Sequence, residues 1–191
     1  MLYQMRQVEK FLDVYDTICL TISANDDEIV GRTTLQKLIY FAKVKIPEIH
    51  LVQPYTAYFY GPFNREVAIG LEKMVALDFL EERRIRYIHA SYSYRVSEKG
   101  IPKITRLRKK FGKTFTKIES IVDQCYTFCK LNPYPLSFAA KVHFMLEKNN
   151  KGITYENLAK MAKGFGWEIS QSDVKSGTEL LQQLNLVKIL R

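Results

Sequence analysis

Residues 31–100 decide the fold, in five consecutive segments: GRTTLQKLIYFA (31–42), YTAYFYGPFN (55–64), REVAIGLEKMVALDFL (65–80), EERRIRYIHAS (81–91) and YSYRVSEKG (92–100). The first has apolar residues at helical spacing, with Thr33 or Thr34 as its cap and Pro47 at its end. Residues 55–60 are aromatic and β-branched, which favours a strand, and a turn follows. Asn64 then predicts the N-cap of the next helix.

The chain on either side of that helix extends the pattern. Apolar positions over residues 3–22 predict a preceding helix. We expect strands around residues 79–87 and 91–97, and in the second of these Tyr92 and Tyr94 alternate with Ser91, Ser93 and Arg95 at the period of two that is typical of strands. Helices followed by a two-stranded ribbon are the elements of a winged helix-turn-helix. The sequence therefore predicts a mainly α fold with a small β wing, and we place this winged-helix domain at residues 1–100.

The rest of the chain predicts a second, similar module. A helical linker over 101–131, interrupted near Gly112, ends at the breaker Asn132-Pro-Tyr-Pro. Three helices follow, over 138–147, over 154–163 and from a Ser170–Asp173 capping box to Leu184. One closing strand would leave the second wing truncated. We therefore expect two winged-helix-like modules, with the second at residues 132–191.

An apolar stripe runs along the linker at spacings of three and four residues. We expect it either to form a homodimer interface or to pack the two modules together within one chain. Its members are Ile104, Leu107, Phe111, Phe115, Ile118, Ile121, Val122, Cys125 and Phe128.

Composition indicates a cytoplasmic globular protein, with 47% hydrophobic and 26% charged residues. Neither a membrane-spanning run nor a secretory leader is expected. The three cysteines have neither disulfide-framework nor zinc-site spacing. The histidines and glycines match no metal or phosphate-loop motif, so we expect no enzyme, no cofactor and no metal.

The net charge of +9 is concentrated in the second half of the chain. Residues 1–96 have 12 basic and 12 acidic residues, whereas residues 97–191 have 17 and 8. Residues 99–117 alone contain eight cations and no acid. Such a block attracts polyanions through counterion release, and the alternative is an ordinary solvated helix face.

The winged-helix pattern assigns DNA contacts within the first domain. The start of the third helix enters the major groove in such folds, and asparagine suits adenine whereas arginine suits guanine. Wing arginines suit phosphates or a minor groove, and cations near the start of the second helix suit the DNA backbone. The candidate residues are Asn64, Arg65 and Lys73 on the third helix, Arg83, Arg84 and Arg86 on the wing, and Arg32 and Lys37 on the second helix.

The second half adds two further groups of candidates. The basic segment is expected to contact phosphates, and the last long helix has polar residues suited to a groove in its early turns. These candidates are Lys103, Arg106, Lys109, Lys110 and Lys113 in the basic segment, and Gln171, Ser172 and Lys175 on the last helix.

Two features favour other interpretations. The outer face of residues 64–76 is neutral, with two cations and two acids, which suits a protein partner better than DNA. The aromatic cluster is either a stacking platform for single strands or core packing, and we favour core packing. Its members are Tyr55, Tyr58, Phe59, Tyr60 and Phe63.

The segments GRTTLQKLIYFA and YFYGPFNREV resemble a family of small archaeal and bacterial winged-helix proteins with the pattern G-R-[TK]-x-L-Q-K-[LI]-[IV]-Y followed by Y-G-P. The same elements are similar to the Panacea-type antitoxin domain, in which a tryptophan usually stands at the position of Phe59. The exit YRVSEKG resembles the end of the wing in PadR and MarR-like regulators. These resemblances imply a winged-helix fold over about residues 28–100, and the last implies dimers.

Together these patterns predict a DNA-binding protein, a transcriptional regulator that acts on double-stranded DNA without a cofactor. The alternative is a protein-interaction adaptor or antitoxin-like module that binds a protein partner.

Overall fold

The computed structural model describes residues 11–85, 91–149 and 154–187. Their mainly helical architecture, with a small antiparallel β component, confirms the predicted class at that level. No helix in these ranges is long and apolar enough to cross a lipid bilayer. The elements, in chain order, are α1 (Val14–Ser23), β1 (Glu28–Val30), α2 (Arg32–Lys45), β2 (Thr56–Tyr58), β3 (Gly61–Phe63), α3 (Arg65–Ala76), β4 (Leu80–Ile85), β5 (Ser91–Val96), α4 (Ile101–Lys110), α5 (Gly112–Cys129), α6 (Pro133–Lys148), α7 (Tyr155–Gly164) and α8 (Gln171–Gln183).

A three-stranded antiparallel sheet contains the predicted ribbon. Its order is β1-β5-β4, with Leu80 paired to Val96 and Ile85 paired to Ser91 between β4 and β5. The third strand, β1, lies along β5 and was not predicted. Its three residues are too few to show a period of two, so local sequence does not reveal it.

The predicted strand over 55–60 and the following turn are in fact a hairpin. β2 pairs with β3, and Phe59 and Tyr60 form the loop between the paired residues Tyr58 and Gly61. Gly61 has a φ of 96°, a conformation that glycine adopts without steric cost. This glycine lets the chain reverse where the sequence predicts a continuous strand.

Two helix starts differ from the prediction. Residues 3–10 of the first predicted helix lie outside the described residues. Within the described residues α1 begins at Val14, and the Asp13 carboxylate accepts a hydrogen bond from the Asp16 amide at 2.8 Å. α2 begins at Arg32, so its N-cap is Gly31 and not one of the two threonines. The N-cap role of Asn64 on α3 is confirmed, because its side chain accepts from the Val67 amide.

The C-terminal helices follow the predicted order. α6 starts five residues earlier than predicted, since prolines are tolerated in the first turn of a helix. The Ser170–Asp173 capping box at the start of α8 is confirmed. The predicted closing strand extends into residues 188–191, which lie outside the described residues.

One apolar core runs through the chain, and α2 lies at its centre. α2 packs against α1, α5 and α6, and α6 also packs against α8 and β3. Within this core the Tyr40 hydroxyl on α2 lies 2.8 Å from the His143 Nδ1 on α6. The core is therefore continuous across residue 132, where the sequence predicts a domain boundary.

The apolar stripe of residues 101–131 is covered by this same core. Its residues from Ile104 to Cys125 are buried within the chain, and Phe128 is partly buried against them. The stripe is therefore not available as a homodimer interface, because its side chains already contact the protein's own helices. A homodimer through other residues of 101–131 stays a prediction. The alternative, packing within one chain, is what the structure contains.

Candidate functional site

Asn64, the predicted adenine reader, is fully buried. Its side-chain oxygen accepts from the Val67 amide at 3.1 Å, and its side-chain nitrogen donates to the Gln53 carbonyl at 2.7 Å. The Gln36 side chain bonds both the amide and the carbonyl of Asn64. The prediction that Asn64 contacts a base is therefore wrong, because these intrachain hydrogen bonds occupy its side chain.

The outer face of α3 keeps the neutral character that the sequence indicates. Arg65 and Lys73 are exposed, and so is Glu72. The Glu66 carboxylate accepts from the amides of Val52 and Gln53 at 2.7 and 3.0 Å. Of the predicted base-reading residues of α3, Arg65 remains available at the surface.

Arg32, a predicted phosphate contact, belongs to a three-residue cluster while its side chain stays 53% exposed. Its Nε donates to the Tyr94 hydroxyl at 2.6 Å, and its Nη2 donates to Glu82 Oε2 at 3.0 Å. Tyr94 donates to the same Glu82 oxygen at 2.6 Å. Although burial alone raises it, these hydrogen bonds hold the pKa of Glu82 below its ordinary value. The cluster fastens the start of α2 to the β4–β5 ribbon.

The predicted wing arginines are only partly described. Arg83 and Arg84 are exposed on β4. Arg86 lies outside the described residues. The exposed pair remains available for a polyanion.

The predicted contact between Lys37 and the DNA backbone is wrong. The sequence predicts a contact with the DNA backbone, but the residue is 2% exposed and its ammonium donates to the Pro62 carbonyl at 2.8 Å. A lysine enclosed between α2 and the β2–β3 hairpin does not reach a phosphate on a duplex.

Four cations on α4 and α5 form a surface that we call the basic face. Arg106, Lys109 and Lys110 follow helical spacing on α4, and Lys113 lies in the first turn of α5. All four are exposed, and within the described residues none is in an ion pair with a carboxylate. Their charge is therefore available to an external anion.

Other cations of the 99–117 segment are neutralised inside the chain. Lys103, which the sequence predicts as a phosphate contact, lies 2.6 Å from the Asp16 carboxylate with its side chain 25% exposed. The prediction for Lys103 is wrong for that reason. Arg108 and Lys117 also pair within the chain, with Asp27 at 3.6 Å and with Glu48 at 3.0 Å, but these two pairs are exposed.

The predicted groove-binding residues of α8 are at the surface but lie on a different part of the core. Gln171, Ser172 and Lys175 are exposed. Asp173, the capping-box carboxylate, lies in the same turns and offsets the charge of Lys175. α8 packs on α6 and α5, whereas three of the four basic-face residues lie on α4, which packs on α1 and α5.

The aromatic cluster is divided between core and surface. Tyr55 and Phe63 are partly buried, but Tyr58, Phe59 and Tyr60 are 54%, 76% and 60% exposed at the tip of the hairpin. Core packing, the favoured interpretation, is therefore wrong for these three. We call them the aromatic tip.

A contact from the C-terminal part of the chain holds this hairpin in place. The indole nitrogen of Trp167 donates to the Tyr58 carbonyl at 2.7 Å. Trp167 itself is 2% exposed. The aromatic tip is thus presented on an anchored hairpin.

Comparison with known proteins assigns no activity. No protein-family model matches the chain. Over 82 residues, 42% of its length, the chain is 32% identical to a protein of Bacillus subtilis (strain 168) called "Uncharacterized protein YwgA". The match spans 48% of that protein, so about half of the relative's length is covered. What the chain does has to be argued from its own surfaces.

Sequence patterns missed a cavity beside the aromatic tip. It has a volume of about 320 Å³ and lies between α2, the β2–β3 hairpin and α3. The hairpin that forms one wall was not predicted, so neither was the cavity. The only local signal was the Y-G-P sequence, which marks a turn but not what the turn encloses.

Proposed function

We propose that this chain is a DNA-binding protein of the winged-helix type, a transcriptional regulator that contacts phosphates mainly through the basic face. The main support for this proposal is that all four side chains of the basic face are exposed and, within the described residues, form no ion pair with a carboxylate. Clustered cations of this kind release condensed counterions from a duplex when they bind it. The net charge of +9 acts in the same direction.

Other surfaces supplement the basic face in this proposal. The exposed Arg83 and Arg84 of the β4–β5 ribbon add phosphate or minor-groove contacts, as wing residues do. In this proposal Arg65, in the first turn of α3, reads a guanine. Since phosphate contacts outnumber base contacts here, we expect affinity to depend more on salt than on sequence.

Replacing Lys109, Lys110 and Lys113 together by Gln is expected to weaken duplex binding and flatten its salt dependence. Three lost phosphate contacts reduce the slope of log K against log salt by about 2 to 3. Fluorescence anisotropy with a labelled duplex, measured over a series of salt concentrations, checks this.

The matched control replaces Lys148, Lys160 and Lys163, three exposed lysines on α6 and α7, by Gln. It removes the same net charge away from the basic face. We expect this control to keep most of the wild-type slope. Equal losses in both variants would mean that net charge alone matters, and no binding by the wild type at low salt would overturn the proposal.

A second function is favoured by the aromatic tip. Exposed aromatic side chains on an anchored hairpin are typical of the central residues of protein interfaces. Together with the neutral face of α3, they suit a protein-interaction adaptor or antitoxin-like module that binds one protein partner.

Replacing Phe59 by Ser is expected to weaken binding to such a partner by about tenfold or more, because truncating an aromatic residue at the centre of an interface causes the largest losses of binding free energy. The measurement is the amount of protein that co-purifies in a stoichiometric complex free of nucleic acid. Leu77→Ser is the control, since Leu77 is 54% exposed and lies outside the hairpin. Equal recovery with both variants would exclude the tip as the interface.

A further inference from the structure

The cavity between α2, the hairpin and α3 has the size and walls of a small-molecule site. Its volume of about 320 Å³ falls in the range of ligand pockets. Its walls combine aliphatic side chains with aromatic rings. They include Leu35, Val67, Leu71, Tyr58, Tyr60 and Phe63.

A buried amine forms part of this wall, which also contains the polar residues Arg32, Thr33, Gln36 and Glu72. Lys37 lines the cavity and is 2% exposed. Its Nζ donates to the Pro62 carbonyl, and in the described residues no carboxylate lies within ion-pair distance of it. An ammonium has three N–H donors, and burial of an ion without a counter-charge is costly.

Gly61 brings the hairpin close to that amine. The Cε of Lys37 lies 3.6 Å from where a side chain on Gly61 would begin, and Gly61 also lines the cavity. The Lys141 side chain of α6 lies 3.1 Å from the same point. Two buried lysines therefore flank one glycine at the edge of the cavity.

Several charged and titratable groups surround Lys37. Lys141 contributes a second cation from α6, whereas Arg32, which lines the cavity from α2, is already paired with Glu82. Tyr58 and Tyr60 face it from the hairpin. The one carboxylate among the lining residues is Glu72 on α3, which is exposed and in no ion pair with Lys37.

We propose that this cavity binds a small organic anion, a carboxylate on a planar apolar body, with the Lys37 ammonium as its counter-charge. The apolar body would contact the aliphatic and aromatic walls, whereas an inorganic anion would leave them without a partner. The carboxylate would accept hydrogen bonds from the amine. This ligand site goes beyond DNA or protein binding and does not depend on either.

Binding of such an anion is coupled to protonation of Lys37. Burial, with a smaller contribution from the nearby Lys141, lowers the pKa of Lys37 to about 7. A bound carboxylate favours the charged amine and so raises that pKa. We therefore expect proton uptake on binding and a higher affinity at pH 6 than at pH 8.5.

Isothermal titration calorimetry with 2-naphthoate and indole-3-acetate tests the site. At pH 6.5, Lys37→Met is expected to weaken the binding of each by about tenfold or more. The matched control is Lys43→Met, on the same helix, where the amine also donates to a backbone carbonyl, that of Ile49, at 2.7 Å. The neutral 2-naphthamide is expected to bind wild-type protein about tenfold more weakly than 2-naphthoate.

A second variant keeps the test decisive if Lys37→Met does not fold. Glu72→Gln removes the one carboxylate among the lining residues. We expect it to increase the affinity for carboxylate ligands by roughly a few-fold, because Glu72 and the bound carboxylate are both negative and repel each other. The proposal is overturned if neither probe binds up to about 5 mM. It is also overturned if the amide binds as well as the carboxylate, or if Lys37→Met binds like Lys43→Met. Duplex binding, measured separately, reports on the proposed DNA function.

Discussion

Replacing Gly100 by Ala is expected to lower the free energy of unfolding by about 3 kcal/mol or more, as overpacking against rigid backbone does. A side chain on Gly100 would begin 2.3 Å from the carbonyl oxygen of Phe79 and 3.2 Å from Val96 Cγ1. The φ of Gly100 is −74°, so the obstacle is steric and not conformational. The measurement is the urea midpoint of purified protein.

The backbone around Gly100 has little freedom to move away. The amide of Gly100 donates to the carbonyl and hydroxyl oxygens of Ser97 at 2.9 and 3.1 Å. Ser97 in turn donates from its amide to the Phe79 carbonyl and from its hydroxyl to the Asp78 carbonyl. These bonds join the end of α3 to the start of α4, so a shift at Gly100 would break several of them.

Gly112→Ala is the matched control for this substitution. Gly112 is the first residue of α5, and apart from its chain neighbours and the helix's own backbone no atom lies within 4 Å of a side chain placed there. Alanine has a higher helix propensity than glycine, so we expect no loss of stability and a gain of up to about 1 kcal/mol. If both variants unfold at the same urea concentration, the steric argument for Gly100 fails.

The second large effect is on the pH dependence of stability, and Lys37 is its source. Between about pH 7 and pH 8.5 we expect this lysine to raise the free energy of unfolding by on the order of 2 kcal/mol. Its pKa in the folded protein is about 7, against 10.5 as its ordinary value. The unfolded chain therefore holds more protons in this window, and stability rises with pH. The free-energy cost of burying the Lys37 charge is fully present below the pKa of Lys37 in the folded protein, and it decreases to zero as the pH approaches the pKa of lysine in the unfolded chain.

His143 and Cys19 act mainly outside that window. Burial lowers the pKa of His143. The free energy of unfolding therefore decreases as the pH falls below about 6.5, because the buried ring has to stay neutral in the folded protein. Burial raises the pKa of Cys19, whose effect begins near its ordinary value of 9.0. Burial also lowers the pKa of Lys141, which acts in the same direction as Lys37. We expect Lys37 to have the larger effect between pH 7 and pH 8.5, because it is the more deeply buried of the two lysines.

Chemical denaturation at several pH values separates Lys37 from the rest of the chain. Lys37→Met is expected to abolish most of the rise in stability, because a thioether does not titrate. Lys43→Met is expected to retain the rise, since this lysine lies outside the cavity. A rise that survives in Lys37→Met would show that another group causes it.

Local signals in the sequence were sufficient for most helices and for two of their caps. Asn64 and the Ser170–Asp173 pair cap α3 and α8 as predicted. The break between α4 and α5 next to Gly112 is also where the sequence places it. These signals are a hydrogen bond between residues three apart and an apolar residue at every third or fourth position. Both depend only on residues that are close together in the sequence.

Short strands and tight turns were not predictable in the same way. β1 gains its hydrogen bonds from β5, about sixty residues later, as long-range pairing of short strands requires. The β2–β3 hairpin depends on one glycine at positive φ, and a side chain there would lie close to Lys37 and Lys141. The energy of these elements comes from partners that are distant in the chain.

The sequence by itself determined the helical architecture, the apolar stripe of residues 101–131 and the concentration of positive charge after residue 96. Only the tertiary structure decided which polar side chains are available. It neutralises Lys103 with Asp16, buries Asn64 and Lys37, and leaves the basic face and the aromatic tip exposed. The physical reason is that periodicity is a property of neighbours, whereas burial and ion pairing depend on contacts between residues far apart in the chain.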